Sequence, residues 1–314
     1  MNIVFMGTPE FSIPTLTKLY RSHHNVQLVV TQPDRPKGRG RESTPSPVKQ
    51  FALENNIPIL QPKKCTDLEV VKTLGMLNAD FFIVVAFGQI LDKALLALPL
   101  HFCINLHSSL LPKYRGAAPI NWSIINGETE AGITTMKMDV GLDTGDILLV
   151  HKVPINDDDD AQSLHDTLAQ KGSDLVLETL NQFDFGSLEG TSQNIELASY
   201  APKLKKEDGL IQWDQPAVKI HNLVRGLAPW PGAFSFLESK RFKICKTEIK
   251  SCDSSNQPGV ILRISGCGIE VGTQSKKIII TELQPEGKKR MDVKSFLAGH
   301  KLSIGSKFEK QSSL

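Results

Sequence analysis

Asn105, His107 and Asp143 bring an amide, an imidazole and a carboxylate into one region of the chain. Two segments carry them: Asn105-Leu106-His107-Ser108-Ser109-Leu110-Leu111-Pro112, and Asp139-Val140-Gly141-Leu142-Asp143-Thr144-Gly145-Asp146. Apolar Cys103, Ile104 and Leu106 around Asn105 predict a short buried strand that ends at His107. Side chains alternate along a strand, so Asn105 and His107 share a face. An amide donor beside an imidazole suits an oxyanion forming at an attacked carbonyl, and one such donor is worth roughly 2.7–4 kcal/mol. Asp143, in a glycine-bordered loop, would orient the ring or hold it protonated. A lone histidine at a strand end is more often structural, and spacing alone does not bring Asp143 to it. Asp139, Asp143 and Asp146 also have the spacing of hard oxygen ligands for a divalent metal. Turn-making by side chain to backbone hydrogen bonds is the preferred reading of Asp139 and Asp146.

The elements that must position these groups alternate in type. Residues 3–6 and 26–31 read as strands. Gly7-Thr8-Pro9 reads as a turn with Pro9 opening a helix through Phe11, Leu16 and Leu19. Phe81 to Val85 is a continuous apolar run, as in a central parallel strand covered on both faces. Ser46-Pro47 has the form of a helix cap, and Asp157 to Asp160 precede a leucine-bearing helix whose dipole they favour; they lack the spacing of a calcium loop. This alternation predicts an α/β doubly wound sheet. Ligands of such sheets bind beyond the carboxyl ends of the strands. The first turn has Gly7 but no G-x-G-x-x-G, which argues against a nicotinamide or flavin cofactor.

A polar stretch over residues 184–206 reads as a linker, and short β-rich runs with glycine turns follow it, as in a small barrel. The expected domains are 1–188, a linker at 189–205, and 206–314. Residues 34–45 are too rich in proline and glycine for regular structure and carry Arg35, Lys37, Arg39 and Arg41. Arginines on such a loop suit phosphates and base edges, although a solvated charged loop is the commoner explanation.

Apolar content of 40 % and charged content of 22 % are ordinary for a globular protein, and no run is long enough to span a membrane. The chain enters a strand pattern at Asn2, so a cytoplasmic location is expected. Cysteines 65, 103, 245, 252 and 267 form no C-x-x-C pair, which argues against a disulfide framework or structural zinc, and Cys103 reads as a core residue. The net charge of +2 conceals an asymmetry. Residues 1–200 carry 16 basic and 23 acidic side chains, against 20 and 11 in residues 201–314, so −7 stands against +9. A polyanionic partner and a lysine-rich solubilising surface both fit the basic third.

With these residues in view, the chain resembles the formyltransferase family over essentially its full length, and within it the bacterial methionyl-tRNA formyltransferases. The specific matches are Ser109 to Ile120 (SLLPKYRGAAPI) and Met138 to Asp146. Gly7 to Phe11, Thr31 to Pro36 and Tyr200-Ala201-Pro202-Lys203-Leu204 also fit. The resemblance implies a Rossmann-like formyltransferase domain followed by an OB-like domain that binds tRNA. It implies 10-formyltetrahydrofolate as donor without a metal, and the α-amino group of methionine on initiator tRNA as acceptor. Catalytic roles fall on Asn105, His107 and Asp143. Folate contacts fall on Ser109, Leu110, Leu111 and Pro112, with backbone contacts from Phe87, Gly88, Ile90 and Leu91 and from Val140, Gly141 and Leu142. tRNA contacts fall on Arg35, Lys37, Arg39 and Arg41, with Arg39 matching the arginine that enters the acceptor stem. A monomer with no membrane partner is expected. Related enzymes formylate glycinamide ribonucleotide or amino sugar nucleotides, or hydrolyse the formyl-folate. The first would stop after one domain and the second would not need a basic C-terminal domain, while the hydrolases carry a different N-terminal module. An RNA-binding protein on an inactive transferase domain is the non-enzymatic alternative, and the intact trio argues against it.

Overall fold

The computed structural model describes residues 1–37, 42–250 and 257–310. They fall into two compact units. One comprises Met1–Pro119, Glu130–Pro154 and His165–Ala201, the other Ile120–Thr129, Ile155–Leu164 and Pro202–Leu314.

The first unit is built on seven strands: β1 (Asn2–Gly7), β2 (Asn25–Val30), β3 (Ile59–Leu60), β4 (Phe81–Val85), β5 (Phe102–His107), β6 (Glu130–Lys137) and β7 (Ile147–Pro154). Their order across the sheet is β7-β6-β5-β4-β1-β2-β3. The five strands from β5 to β3 run parallel, and β6 and β7 continue the sheet antiparallel. The order reverses between β1 and β4, so a crevice opens beyond their carboxyl ends. β4 is buried at every position, as its unbroken apolar run requires. Cys103 belongs to the core beside it, and burial pushes its thiol up to about 12, so it packs as a small apolar group.

Three local outcomes carry information. Gly7 ends β1 where a Cβ would come 2.8–2.9 Å from Phe5 and Ser12, so only glycine lets the next turn fold so close to the strand. That turn is a short 3-10 segment, Glu10–Ser12, and the α-helix begins at Ile13 instead of at Pro9. Pro14 explains the shift, since a residue with no N–H fits the first turn. Ser46 caps the helix Pro47–Glu54 through its hydroxyl to Lys49 N at 3.1 Å, as expected. The 34–45 segment departs from expectation: Arg35–Lys37 pairs antiparallel with Glu42–Thr44, and residues 38–41 lie outside the described residues. Pairing of three residues a side tolerates Pro36, because an edge pair need not use every N–H.

The second unit carries an antiparallel sheet of β8 (Ala233–Leu237), β9 (Lys240–Lys250), β10 (Ile261–Ser265), β11 (Gly268–Gly272), β12 (Lys277–Pro285) and β13 (Met291–Asp292). Its order is β8-β9-β12-β11-β10, with β13 paired to β12. Residues 305–309 join the two outer strands. Gly305 N donates to Ile261 O of β10, while Glu309 and Phe236 of β8 exchange backbone hydrogen bonds at 2.8 and 3.1 Å. This strap bridges the two outer strands, as in the expected barrel. Phe308 turns inward from the strap, stacks on Trp213 at 5.4 Å between ring centres and joins the core.

Phe308→Ala therefore removes the aromatic anchor of the strap. It should cost about 3–5 kcal/mol in chemical denaturation. An unchanged unfolding midpoint would show that the strap bridges the outer strands through its backbone alone.

Candidate active site

Asn105 and His107 occupy alternate positions at the carboxyl end of β5, opposite Met136 and Thr134 of β6. They lie on one face, roughly 7 Å apart along the strand. The structure brings Asp143 to them. Its Oδ2 stands 3.7 Å from His107 Nδ1, and both side chains are largely buried. That separation exceeds a hydrogen bond, so the Nδ1 side of the ring is where a water or substrate atom can enter.

The other ring nitrogen is committed. His107 Nε2 lies 2.9 Å from the carbonyl oxygen of Tyr114. A carbonyl only accepts, so Nε2 carries a hydrogen. Asn105 is half-buried, and its amide has no hydrogen bond among the described residues. It is therefore a donor available to a substrate.

Asp143 owes its place to three restraints. Gly116 N donates to Oδ2 at 2.8 Å. Its backbone is left-handed, with φ of 53°, in the region that aspartate enters more readily than most residues. Its carbonyl oxygen accepts from Gln193 Nε2 at 2.9 Å, and the same nitrogen donates to Gly145 O at 2.7 Å. Gln193 Oε1 accepts in turn from Arg115 Nε at 3.1 Å and Nη2 at 2.7 Å, and Arg115 is 2 % exposed. The polar stretch after residue 184 is thus tied into the first unit: Tyr200–Ala201 pairs parallel with Arg115–Gly116, and Ser199 Oγ accepts from Tyr114 N at 2.9 Å. Gln193 was not legible in the sequence, since a glutamine among small polar residues carries no local signature.

Asp139 behaves as a turn former: its carboxylate accepts from Gly141 N and Thr144 Oγ1. Asp146 accepts from Ser192 Oγ at 3.0 Å. No cluster of three or more potential metal ligands occurs among the described residues.

The residues singled out for folate divide by environment. Phe87, Leu91 and Leu111 are buried, leaving their backbones as the available surface. The Phe87 carbonyl already accepts from Thr8 Oγ1 at 3.0 Å and Gln32 Nε2 at 3.2 Å, a bridge across the crevice between β1 and β4. Ser109 closes its own loop through Oγ to Lys113 O at 2.6 Å. Leu110 is half-buried against Gly132, and Pro112 is half-buried after a cis peptide bond. By contrast Ile90, Val140 and Leu142 are 84, 73 and 60 % exposed, and Gly88 and Gly141 beside them are exposed too. Large apolar side chains left in solvent, two of them in the loop that carries Asp143, suit a flat aromatic ligand. Of the basic residues, Arg35 is exposed and donates to Gln32 Oε1 at 3.2 Å, and Lys37 lies in the paired strand. Arg39 and Arg41 lie outside the described residues.

A family model described as formyl transferase matches residues 1–180, and one described as formyl transferase, C-terminal domain, matches residues 203–301. The methionyl-tRNA formyltransferase of Citrifermentans bemidjiense is 53 % identical over 97 % of this chain and 95 % of its own length. The chain belongs to the methionyl-tRNA formyltransferase family. Family members of the same name from Geobacter sulfurreducens and Clostridium acetobutylicum are 52 and 48 % identical, covering 98 and 97 % of this chain and 96 and 98 % of theirs. Among solved structures, the family fold recurs in the sugar 3N-formyl transferase WlaRD, at 21 % identity and a TM-score of 0.68 over 92 % of this chain and 99 % of that one. It recurs in the methionyl-tRNA formyltransferase from Clostridium thermocellum at 19 % identity and a TM-score of 0.54, covering 80 % of this chain and 94 % of that one.

Gly145 tests the loop geometry directly. A Cβ there would fall 1.7 Å from Lys137 O, so Gly145→Ala must displace the segment that carries Asp143. A displacement near 1 Å should lower kcat about 100-fold in steady-state assays.

Proposed function

We propose that this chain transfers the formyl group of 10-formyltetrahydrofolate to the α-amino group of methionine on charged initiator tRNA, giving N-formylmethionyl-tRNA for translation initiation. The observation that carries the reading is the trio: a free amide and an anchored imidazole on one strand face, with a carboxylate 3.7 Å from the imidazole. The names of relatives half identical over almost the whole chain supply the acceptor. Residues 1–188 form the catalytic domain in this reading. Residues 189–205 connect it to an OB-like tRNA-binding domain at 206–314. The chain acts as a monomer in the cytoplasm without a membrane partner. No helix among the described residues is long and apolar enough to cross a membrane.

The folate supplies an activated formyl group on its N10 nitrogen. Ile90, Val140 and Leu142 cover its rings, and the backbones of Phe87, Gly88, Leu91 and Gly141, with Ser109 to Pro112, border it. Asn105 donates to the formyl oxygen while the neutral methionyl amine bonds to the formyl carbon. Protonated His107, working from its Nδ1 side, shares the negative charge that gathers on that oxygen. Asp143 takes the proton released by the amine. Through a water it delivers that proton to N10 as the bond from carbon to N10 breaks, so charge and protons balance. Holding two substrates in line supplies much of the acceleration. The residues 34–45 and the +9 surface of residues 201–314 hold the tRNA, with Arg35, Lys37, Arg39 and Arg41 on its acceptor end.

The deciding assay follows labelled formyl from 10-formyltetrahydrofolate to methionine-charged initiator tRNA, with glycinamide ribonucleotide and a no-acceptor mixture alongside. Transfer to the tRNA alone supports the reading. Formate release without acceptor, or transfer to the nucleotide, overturns it. His107→Ala and Asp143→Ala should each lose at least about 100-fold in kcat with unchanged thermal unfolding, and near-normal turnover in Asp143→Ala would remove its assigned role. Arg39→Ala should weaken the tRNA term without altering folate affinity. tRNA binding should also fall steeply with salt, because each neutralised phosphate releases counterion, and a flat response would exclude the basic surface as an RNA contact.

A further inference from the structure

Gln193 sits at the junction of two hydrogen-bonding tasks. Its amide oxygen receives both donors from Arg115, a guanidinium almost wholly removed from solvent. Its amide nitrogen divides its two hydrogens between the carbonyl oxygens of Asp143 and Gly145. A primary amide is the one neutral side chain of this length that both accepts from a guanidinium and donates twice. Asp143 has a left-handed backbone, and Gly145 touches Lys137 O too closely for any side chain, so the loop between them holds an unusual path. Such a path persists where surrounding contacts over-determine it, and here two of those contacts are the hydrogen bonds from Gln193 to the Asp143 and Gly145 carbonyls.

We infer that Gln193 is a positioning residue for catalysis: through Nε2 it fixes the backbone of Asp143, and so the distance from the Asp143 carboxylate to His107 Nδ1. The inference rests on the formyl-transfer reading for its kinetic arm only. Gln193 touches neither the imidazole nor, in this reading, the substrate. Its effect on the carboxylate passes through the backbone of the loop, at the carbonyls of Asp143 and Gly145. Gly116 N holds the other end of Asp143 at Oδ2, so the residue is gripped at both carbonyl and carboxylate. Releasing one grip lets the side chain pivot about the other.

Gln193→Glu separates the two tasks. The carboxylate still accepts from Arg115, now as an ion pair, so folding is retained and the unfolding temperature stays level or rises. The same group turns an acceptor toward the carbonyls of Asp143 and Gly145, and the grip on the loop is lost. We expect kcat to fall about 100-fold, the order set by misplacing a catalytic group by 1 Å, with KM for folate and tRNA unchanged. In an Asp143→Asn background the further loss should vanish, because the residue being positioned no longer works. Wild-type kcat in Gln193→Glu, or an undiminished loss in the Asp143→Asn background, overturns the inference. The ring-nitrogen resonances of His107 give a second readout without substrate. They should move in Gln193→Glu, and wild-type resonances overturn the inference. If wild type itself forms no formyl-methionyl-tRNA, the proposed function fails while the resonance measurement still decides the role of Gln193. Should Gln193→Glu not accumulate folded, Gln193→Met, which loses the acceptor for Arg115 as well as both donors, is read on folded protein only: a kcat loss that disappears in the Asp143→Asn background supports the inference, and wild-type kcat or wild-type His107 resonances overturn it.

Discussion

Three consecutive residues, Tyr114, Arg115 and Gly116, act as a jig for the whole site. The carbonyl of Tyr114 anchors His107 Nε2, the N–H of Gly116 anchors Asp143 Oδ2, and the guanidinium of Arg115 anchors Gln193. Imidazole and carboxylate therefore do not need to bind one another to be correctly placed. Each is fixed to the same short piece of backbone, and the gap between them follows from the spacing of that backbone. Such an arrangement leaves Nδ1 and the carboxylate accessible to a reacting atom, whereas a direct short hydrogen bond would occupy both.

The jig is itself costly in conformation. Tyr114 has φ of 61° and Gly116 φ of 112°, and a Cβ at Gly116 would press to 2.9 Å from Ala201 O. Isolated left-handed residues outside glycine persist where surrounding contacts over-determine them. Here those contacts are Tyr114 N to Ser199 Oγ, Arg115 N to Ser199 O and Ala117 N to Ala201 O. The parallel pairing of Tyr200–Ala201 with Arg115–Gly116 thus carries an importance out of proportion to its two residues.

Legibility in the sequence followed the range over which each signal acts. Asn105 and His107 were legible because strand alternation is a period of two and acts between near neighbours. Phe81 to Val85 was legible as a central strand from its composition, and Ser46-Pro47 as a cap from a single turn of geometry. The start of the helix at Ile13 was misplaced because two prolines, Pro9 and Pro14, both qualify as openers, and Pro14 is the one that occupies the first turn. The pairing of residues 35–37 with 42–44 was hidden because proline and glycine suppress the alternation that marks strands. Whether Asp143 reaches His107 was undecidable from spacing, since the answer depends on Gly116 and Gln193, far from Asp143 in the chain. The resemblance to formyltransferases supplied that pairing, and the backbone contacts give its physical cause.

The pairing of Tyr200–Ala201 with Arg115–Gly116 also sets an order of assembly. During synthesis the ribosome delivers Asn105, His107 and Asp143 well before Gln193, Ser199 and Ala201. A nascent chain that has released only the first seven strands possesses Asn105, His107 and Asp143 but not the scaffold that spaces them. The spacing of the trio is fixed late, by a stretch of polar residues that resembles mere connection. The same logic applies to a protease: a nick on the exposed polar segment before Gln193 would spare Asn105, His107 and Asp143 and still loosen the frame that aligns them.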